Sequence, residues 1–268
     1  MISNRKFHST VYRYYNKHGR HHLPWRTTYD PYLILVSEIM LQQTQVDRVI
    51  PKYITFLVQF PTIETLAHAS LGEVLRAWQG LGYNRRAKML HDCAQFVVTD
   101  WGGILPWSFE ELKKLPGIGP YTAGAVMSFA YNQPVTMIET NIRTVYLHHF
   151  FPDVHGIHDD ELLPLITRTV DREHPRRWYA ALMDYGTFLK KTVGNISRTS
   201  AHHTQQTTFK GSNREVRGAI IRHLSSGPAT QLQMEKTTGL NKEKIIEQLH
   251  ALTNEGMLSK KRSTYTLK

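Results

Sequence analysis

Cysteine is all but missing from this chain. Cys93 is the only one among 268 residues, so one chain can form neither an internal disulfide nor a cysteine-based metal site. It stands in the apolar run MLHDCAQFVV and reads as a small core residue. Long apolar stretches are missing too. None approaches the roughly 18 residues of a membrane span, and the N-terminal MISNRKFHSTVYRYYNKHG has no continuous apolar region of the kind a secretory signal carries. These absences point to a soluble cytoplasmic protein, nucleoid-associated in a bacterium, with no membrane partner. Acidic residues are in short supply: 22 Asp and Glu against 33 Lys and Arg give a formal net charge of +11. Such a surplus favours a polyanionic partner, nucleic acid foremost, over the plainer reading of a solvated basic surface. What is present in ordinary amount is apolar residue content, 41%, enough for a real core. The length suits two domains, or a large one with a small one.

Alternating apolar and polar runs are also few up to about residue 190, where helical spacing dominates. Phe7, Val11, Tyr14 and Tyr15 share one helical face. LPWR at 23–26 breaks that helix, and Pro31 opens the next, with Leu33, Val36, Ile39 and Met40 as its apolar stripe. Segments 63–67, 71–79, 85–99 and 109–115 read as further helices, with Ser70 and Ser108 as N-caps ahead of acidic first turns. Residues 190–212 are polar, basic and aperiodic, and read as a linker or an arm. Beyond them, 214–224, 230–238 and 242–255 suggest three helices, and the β-branched and aromatic end of KKRSTYTLK suggests a hairpin. That is the pattern of a winged helix, and this piece carries ten Lys and Arg against five Glu. The expected domains are 1–189, an arm at 190–212 and 213–268.

Three constellations carry chemistry. In LPGIGPYTAGAV at 115–126, Gly117 and Gly119 free the backbone between two helices, and Pro120 suits the first turn of the second helix. Bare amides at such a helix start suit a phosphate, although a plain helix–turn–helix joint would look similar. Glu139 follows twenty residues after Gly119, as a carboxylate aimed at a sugar or as a capping acid. The second constellation is SEIMLQQTQ. Glu38 sits in a helix whose other residues leave little solvent face, and a partly buried carboxyl with a raised pKa can act as a general acid. Gln42, Gln43, Thr44 and Gln45 can meet base edges or fill a gap in a stack. The third, QGLGYNRR, offers two glycines, then Tyr83, then two guanidiniums. Tyr83 reads as a wedge between bases or as a tyrosine packed at a helix end.

These residues together resemble the helix-hairpin-helix DNA glycosylases and, within them, the MutY-type adenine DNA glycosylases. The resemblance runs from about Phe7 to Gly186, through LPWR at 23–26, SEIMLQQTQVDRVIPKY at 37–53, WQGLGYNRRAKML at 78–90, LPGIGPYTAGAV at 115–126 and ALMDYG at 181–186. It implies a mainly α fold of two helical subdomains, followed here by the small winged-helix-like domain. It implies a nucleotide flipped into a pocket, with Glu38 protonating the base and Tyr121 in the pocket where bifunctional relatives hold a lysine, so no Schiff-base step. Gln43, Thr44 and Tyr83 match residues around the opposing base. Arg26 and Asp184 match the lining of the adenine pocket, Gly117 and Gly119 the phosphate hairpin, and Asn141 a polar neighbour of the second carboxylate.

The chain departs from the family at three places. The family has Asp where this chain has Glu139. Its usual four cluster cysteines fall here at Lys190, Ser197, Ser200 and Gln206, so no iron–sulfur cluster and no other metal is expected; Lys190, Lys191 and Arg198 of the arm are candidates for electrostatic DNA contact instead. Its 8-oxoguanine-reading C-terminal domain is replaced by the winged-helix-like piece. The reading is a monomeric, monofunctional DNA N-glycosylase of base excision repair, acting on adenine opposite 8-oxoguanine or guanine in double-stranded DNA. A thymine or uracil mismatch glycosylase and a non-catalytic binder of damaged DNA are its rivals.

Overall fold

Helix follows the apolar spacing along most of the chain. The computed structural model describes residues 2–194, 196–202 and 208–268, the side chain of Ser197 excepted. Among the described residues the helices run α1 Asn4–His18, α2 Pro31–Leu41, α3 Val46–Gln59, α4 Ile63–His68, α5 Leu71–Ala77, α6 Arg85–Trp101, α7 Phe109–Leu112, α8 Pro120–Phe129, α9 Thr140–Phe150, α10 Asp159–Thr169, α11 Pro175–Thr192, α12 Asn213–Ser225, α13 Gln231–Thr238 and α14 Lys242–Asn254. Two 3-10 turns, Pro24–Arg26 and Ile196–Thr199, and three short strands, β1 Ala229–Thr230, β2 Leu258–Lys261 and β3 Thr264–Leu267, complete the elements among the described residues. No helix among the described residues is long and apolar enough to cross a membrane.

Local chemistry sets several boundaries. Asp30 Oδ1 accepts from the amides of Tyr32 (2.8 Å) and Leu33 (3.2 Å) and starts α2. Ser70 opens α5 with a reciprocal capping box to Glu73. Ser108 stands at the start of α7, but its side chain caps nothing. That helix stops at Leu112 instead of running to Leu115, because the next amides turn back early, Lys114 N onto Glu111 O at 3.0 Å. α11, by contrast, runs past residue 189 to Thr192, so Lys190 and Lys191 belong to a helix and not to an arm.

The chain forms two compact units, each built from separate stretches. The first holds Met1–Glu38, Pro106–Lys114 and Ile118–Gln205. In its core α11 packs on α9 and α1. Phe7 is fully buried, with the rings of Tyr146, Phe150 and Trp178 at centroid distances of 5.3, 5.0 and 5.6 Å. Gly186 is where α11 meets the start of α9: a Cβ there would lie 2.3 Å from the carbonyl oxygen of Asn141, so no other residue allows this approach.

The second unit holds Ile39–Leu105, Leu115–Gly117 and Gln206–Lys268. Its C-terminal part runs helix, strand, helix, helix, hairpin, with an antiparallel sheet in the order β1-β3-β2. This order is consistent with the winged-helix reading; the two-residue β1 is an addition too short to show periodicity. The part is joined to the rest of its unit: α12 and β3 pack on α5, and the amide of Gly72 donates to the carbonyl of Lys268 at 2.5 Å.

Candidate active site

Glu38 occupies the last full turn of α2, in a run from Ile34 to Met40 in which every residue is buried. Only 4% of its surface is exposed. Its partner is Tyr121, the second residue of α8, whose hydroxyl donates to Glu38 Oε2 at 2.8 Å. Burial pushes the Glu38 carboxyl up from 4.5 to about 7; nearby Glu139 pushes the same way, while the Tyr121 bond and Arg26 oppose. Burial and the two carboxylates hold the Tyr121 phenol well above its ordinary range, so it stays a donor. Near neutral pH the pair holds a proton that can be given away.

Glu139 is the N-cap of α9, in extended backbone. Its Oε1 accepts from the amides of Asn141 (2.7 Å) and Ile142 (2.8 Å), and its Oε2 accepts from Asn141 Nδ2 at 3.2 Å. Helix N-caps favour shorter acids; here the longer side chain curls back onto its own first turn. The capping reading is therefore correct as geometry, and it fixes the carboxylate within electrostatic reach of Glu38. Asn141 also accepts from Lys190 Nζ at 2.8 Å. Lys190 is half-buried and its ammonium is destabilised by that burial, with Glu139 acting in the opposite direction.

Arg26 and Asp184 are brought together. Arg26 Nη1 and Nη2 donate to the two Asp184 oxygens at 2.6 and 2.9 Å. Arg20, which sequence reasoning missed, adds its amide at 2.8 Å and its Nε at 2.7 Å. Burial raises the Asp184 carboxyl, but the two arginines outweigh it and hold it below its usual range. The pair clamps the LPWR turn to α11, and Arg26 is felt at Glu38.

Of the hairpin glycines, Gly117 needs its freedom: its φ is +74° and a Cβ would lie 2.6 Å from that of Met89. Gly119 does not. It is the extended N-cap of α8, with φ −88° and open space where a Cβ would sit. With no side chain to cap α8, the first-turn amides are left for another acceptor.

Within the second unit, Gln43 and Tyr83 both hold left-handed backbone, φ +54° and +48°, a strained choice for these residues. Tyr83 is half-buried. Its ring lies under the guanidiniums of Arg86 and Arg214 at 5.5 and 5.4 Å, and its hydroxyl accepts from Arg214 at 2.6 Å. Arg86, read from sequence as one of two guanidiniums beside the wedge, turns inward. It donates to the carbonyls of Ile39 (2.8 Å), Met40 (3.0 Å) and Gly82 (3.0 Å) and to Thr44 Oγ1 (3.1 Å). It thereby satisfies the last carbonyls of α2 and fixes the loop that carries Gln43 and Thr44. Burial lowers its pKa to about 10. Nothing in the local sequence separates Arg86 from exposed Arg85; the distinction is tertiary.

Comparison with known proteins fits this arrangement. The chain belongs to the HhH-GPD superfamily of base excision DNA repair proteins, whose family model matches residues 36–162. An adenine DNA glycosylase of Mycolicibacterium smegmatis is 36% identical over 246 residues, 81% of either chain. One from Buchnera aphidicola subsp. Baizongia pistaciae is 38% identical over 68% of this chain and 52% of its own length, so the chain spans about half of that relative. Among solved structures, a thermostable thymine-DNA glycosylase is 29% identical over 68% of this chain and 85% of its own, with a TM-score of 0.61. A non-covalent endonuclease III–DNA complex shares the fold at 16% identity and TM-score 0.56.

A four-thiolate iron–sulfur cluster does not fit the donors this chain has. Cys93 is its single thiol, buried in α6 and pushed up to about 12 by that burial. Lys190 is occupied with Asn141, and Ser200 lies in a bridge to Ile157. Gln206 and the side chain of Ser197 lie outside the described residues. Among the described residues no three His, Cys, Asp or Glu group as metal ligands.

Proposed function

We propose that this chain is a monofunctional DNA N-glycosylase of base excision repair that removes adenine mispaired with 8-oxoguanine or guanine. The observation that carries the reading is the buried Glu38–Tyr121 pair, a proton donor poised near neutral pH. The names of the relatives support adenine as the base. With the target nucleotide flipped from the duplex, Glu38 gives its proton to the base. The C1′–N bond then breaks, its electron pair leaves with the protonated base, and C1′ becomes an oxocarbenium-like cation. Glu139, whose oxygens are preorganised by three N–H donors, stabilises that cation. Water adds to C1′ and releases a proton, leaving free base and an abasic site. Tyr121 holds Glu38 and offers no amine, so no Schiff base forms.

The partner is double-stranded DNA, engaged through the hairpin at Gly117 and Gly119, through Gln43, Thr44 and Tyr83, and through the basic surplus of the chain. Arg26 and Asp184 line the adenine pocket, with Arg26 acting electrostatically on Glu38. The chain works as a monomer in the cytoplasm and without an iron–sulfur cluster. A second reading, thymine or uracil opposite guanine, draws support from the likeness to the thymine-DNA glycosylase.

The test is single-turnover base excision on duplexes carrying A opposite 8-oxoguanine, A opposite G, T opposite G and U opposite G, with alkaline cleavage at abasic sites. Release from the adenine strands alone is expected. Release only from the pyrimidine mismatches would transfer the assignment to the second reading, and tight binding with no release would make the chain a binder.

A further inference from the structure

We propose that Lys190 is a positioning residue for Glu139, acting through Asn141; this rests on the reading that Glu139 stabilises the sugar cation. Gly186 and Lys190 stand one helical turn apart on the same face of α11. The missing side chain of Gly186 lets α11 press on the backbone of Asn141, and that approach seats Lys190 Nζ 2.8 Å from Asn141 Oδ1. An ammonium only donates and an amide oxygen only accepts. Lys190 therefore fixes which way the Asn141 amide faces. Its oxygen must turn to the lysine and its NH2 to Glu139 Oε2, 3.2 Å away. The reverse orientation would set oxygen against carboxylate and NH2 against ammonium. Glu139 Oε1 is already held by two backbone amides, so the lysine decides the remaining oxygen.

A glutamate has one more rotatable bond than an aspartate, and that bond must be restrained for the carboxylate to be preorganised. The chain Lys190–Asn141–Glu139 supplies the restraint. It also places a half-buried positive charge behind the carboxylate. The other charged groups acting here are Arg143, which is engaged with Asp159 at 2.8 and 2.7 Å, and Glu38, felt at Glu139.

The test compares wild type with Lys190→Met, Lys190→Gln and Lys190→Arg, with Glu139→Gln as a parallel control. Single-turnover excision from an A·8-oxoguanine duplex is followed between pH of about 5 and 9, beside DNA Kd by anisotropy and thermal melting. Lys190→Met is expected to slow the chemical step by roughly 10- to 100-fold with Kd changed less than about threefold. Lys190→Arg should recover most of the rate, and Lys190→Gln, which keeps a donor without the charge, should show a smaller loss. Lys190→Gln stands in where Lys190→Met does not fold. A wild-type rate and profile in both neutral variants overturns the proposal, as does a loss confined to Kd, which would make Lys190 a phosphate contact. A slowed rate with no recovery in Lys190→Arg also overturns it, as a structural effect. Full activity in Glu139→Gln would instead bring down the assignment of Glu139 itself; an inactive Glu139→Gln beside an unaffected Lys190→Met would bring down the lysine alone.

Discussion

Replacing Glu38 with glutamine should make the protein more stable at alkaline pH while abolishing base release. The carboxyl is moved from 4.5 to about 7 chiefly by burial. At the acid end, below 4.5, it is protonated in both the folded and the unfolded chain, and pH does not act through it. Between 4.5 and about 7 the unfolded chain releases the proton and the folded chain keeps it, so stability falls as pH rises. At about 1.4 kcal/mol per pH unit the loss is complete above pH 7 and amounts to about 3 kcal/mol. Glutamine is neutral throughout and its amide oxygen can still accept from Tyr121, so the variant escapes the penalty. The difference in Tm should be small near pH 5 and on the order of 5–10 °C near pH 8 for a chain of this size. Melts of both proteins at the two pH values, beside single-turnover excision and DNA binding, make the check. An equal Tm difference at both pH values would refute the assignment of a proton-holding Glu38, and retained excision would refute its role as the acid.

Other variants probe the rest of the frame. Glu139→Asp should keep the α9 cap and the Tm but withdraw the carboxylate by about 1 Å from the Asn141 amide, slowing excision about a hundredfold in single turnover; a faster variant would mean that the pocket still fits the shorter acid. Arg86→Met should strand the buried carbonyls of Ile39 and Met40, costing about 3 kcal/mol or more in urea unfolding, and an unchanged midpoint would show that they find other donors. Gly186→Ala places a Cβ 2.3 Å from a backbone oxygen; a loss of at least about 1–3 kcal/mol is expected, with excision falling alongside as α11 shifts off Asn141.

The sequence made α2 legible because seven consecutive residues there are buried and only one of them is an acid; a carboxylate with no polar face to occupy announces itself. The three C-terminal helices and the hairpin were legible from spacing and from the β-branched ending. Boundaries were less so: α7 loses its last turn because early turn bonds compete with the helix, and periodicity carries no sign of that. The site was half legible. Glu38, Tyr121 and Glu139 stand out by motif, but what orients them does not. Arg20, Arg86 and Lys190 each act on partners more than forty residues away in sequence. A lysine that serves Asn141 and one that faces water have the same local surroundings. The exchange of Asp for Glu at 139 was visible; its accommodation depends on a glycine and a lysine on another helix.

The first unit can close on itself only after α11 has been made, because α1 packs on it. Phe7 is made long before Trp178, one of the rings it packs against edge-on. At roughly 5–20 residues per second on the ribosome, α1 waits on the order of 10–30 s before its partners exist. Throughout that interval it presents Phe7, Val11 and Tyr15, all buried in the finished protein, to whatever else is near the tunnel exit. Yield in the cell should therefore respond to chaperone supply and to translation rate more than the folded stability of this unit alone would indicate.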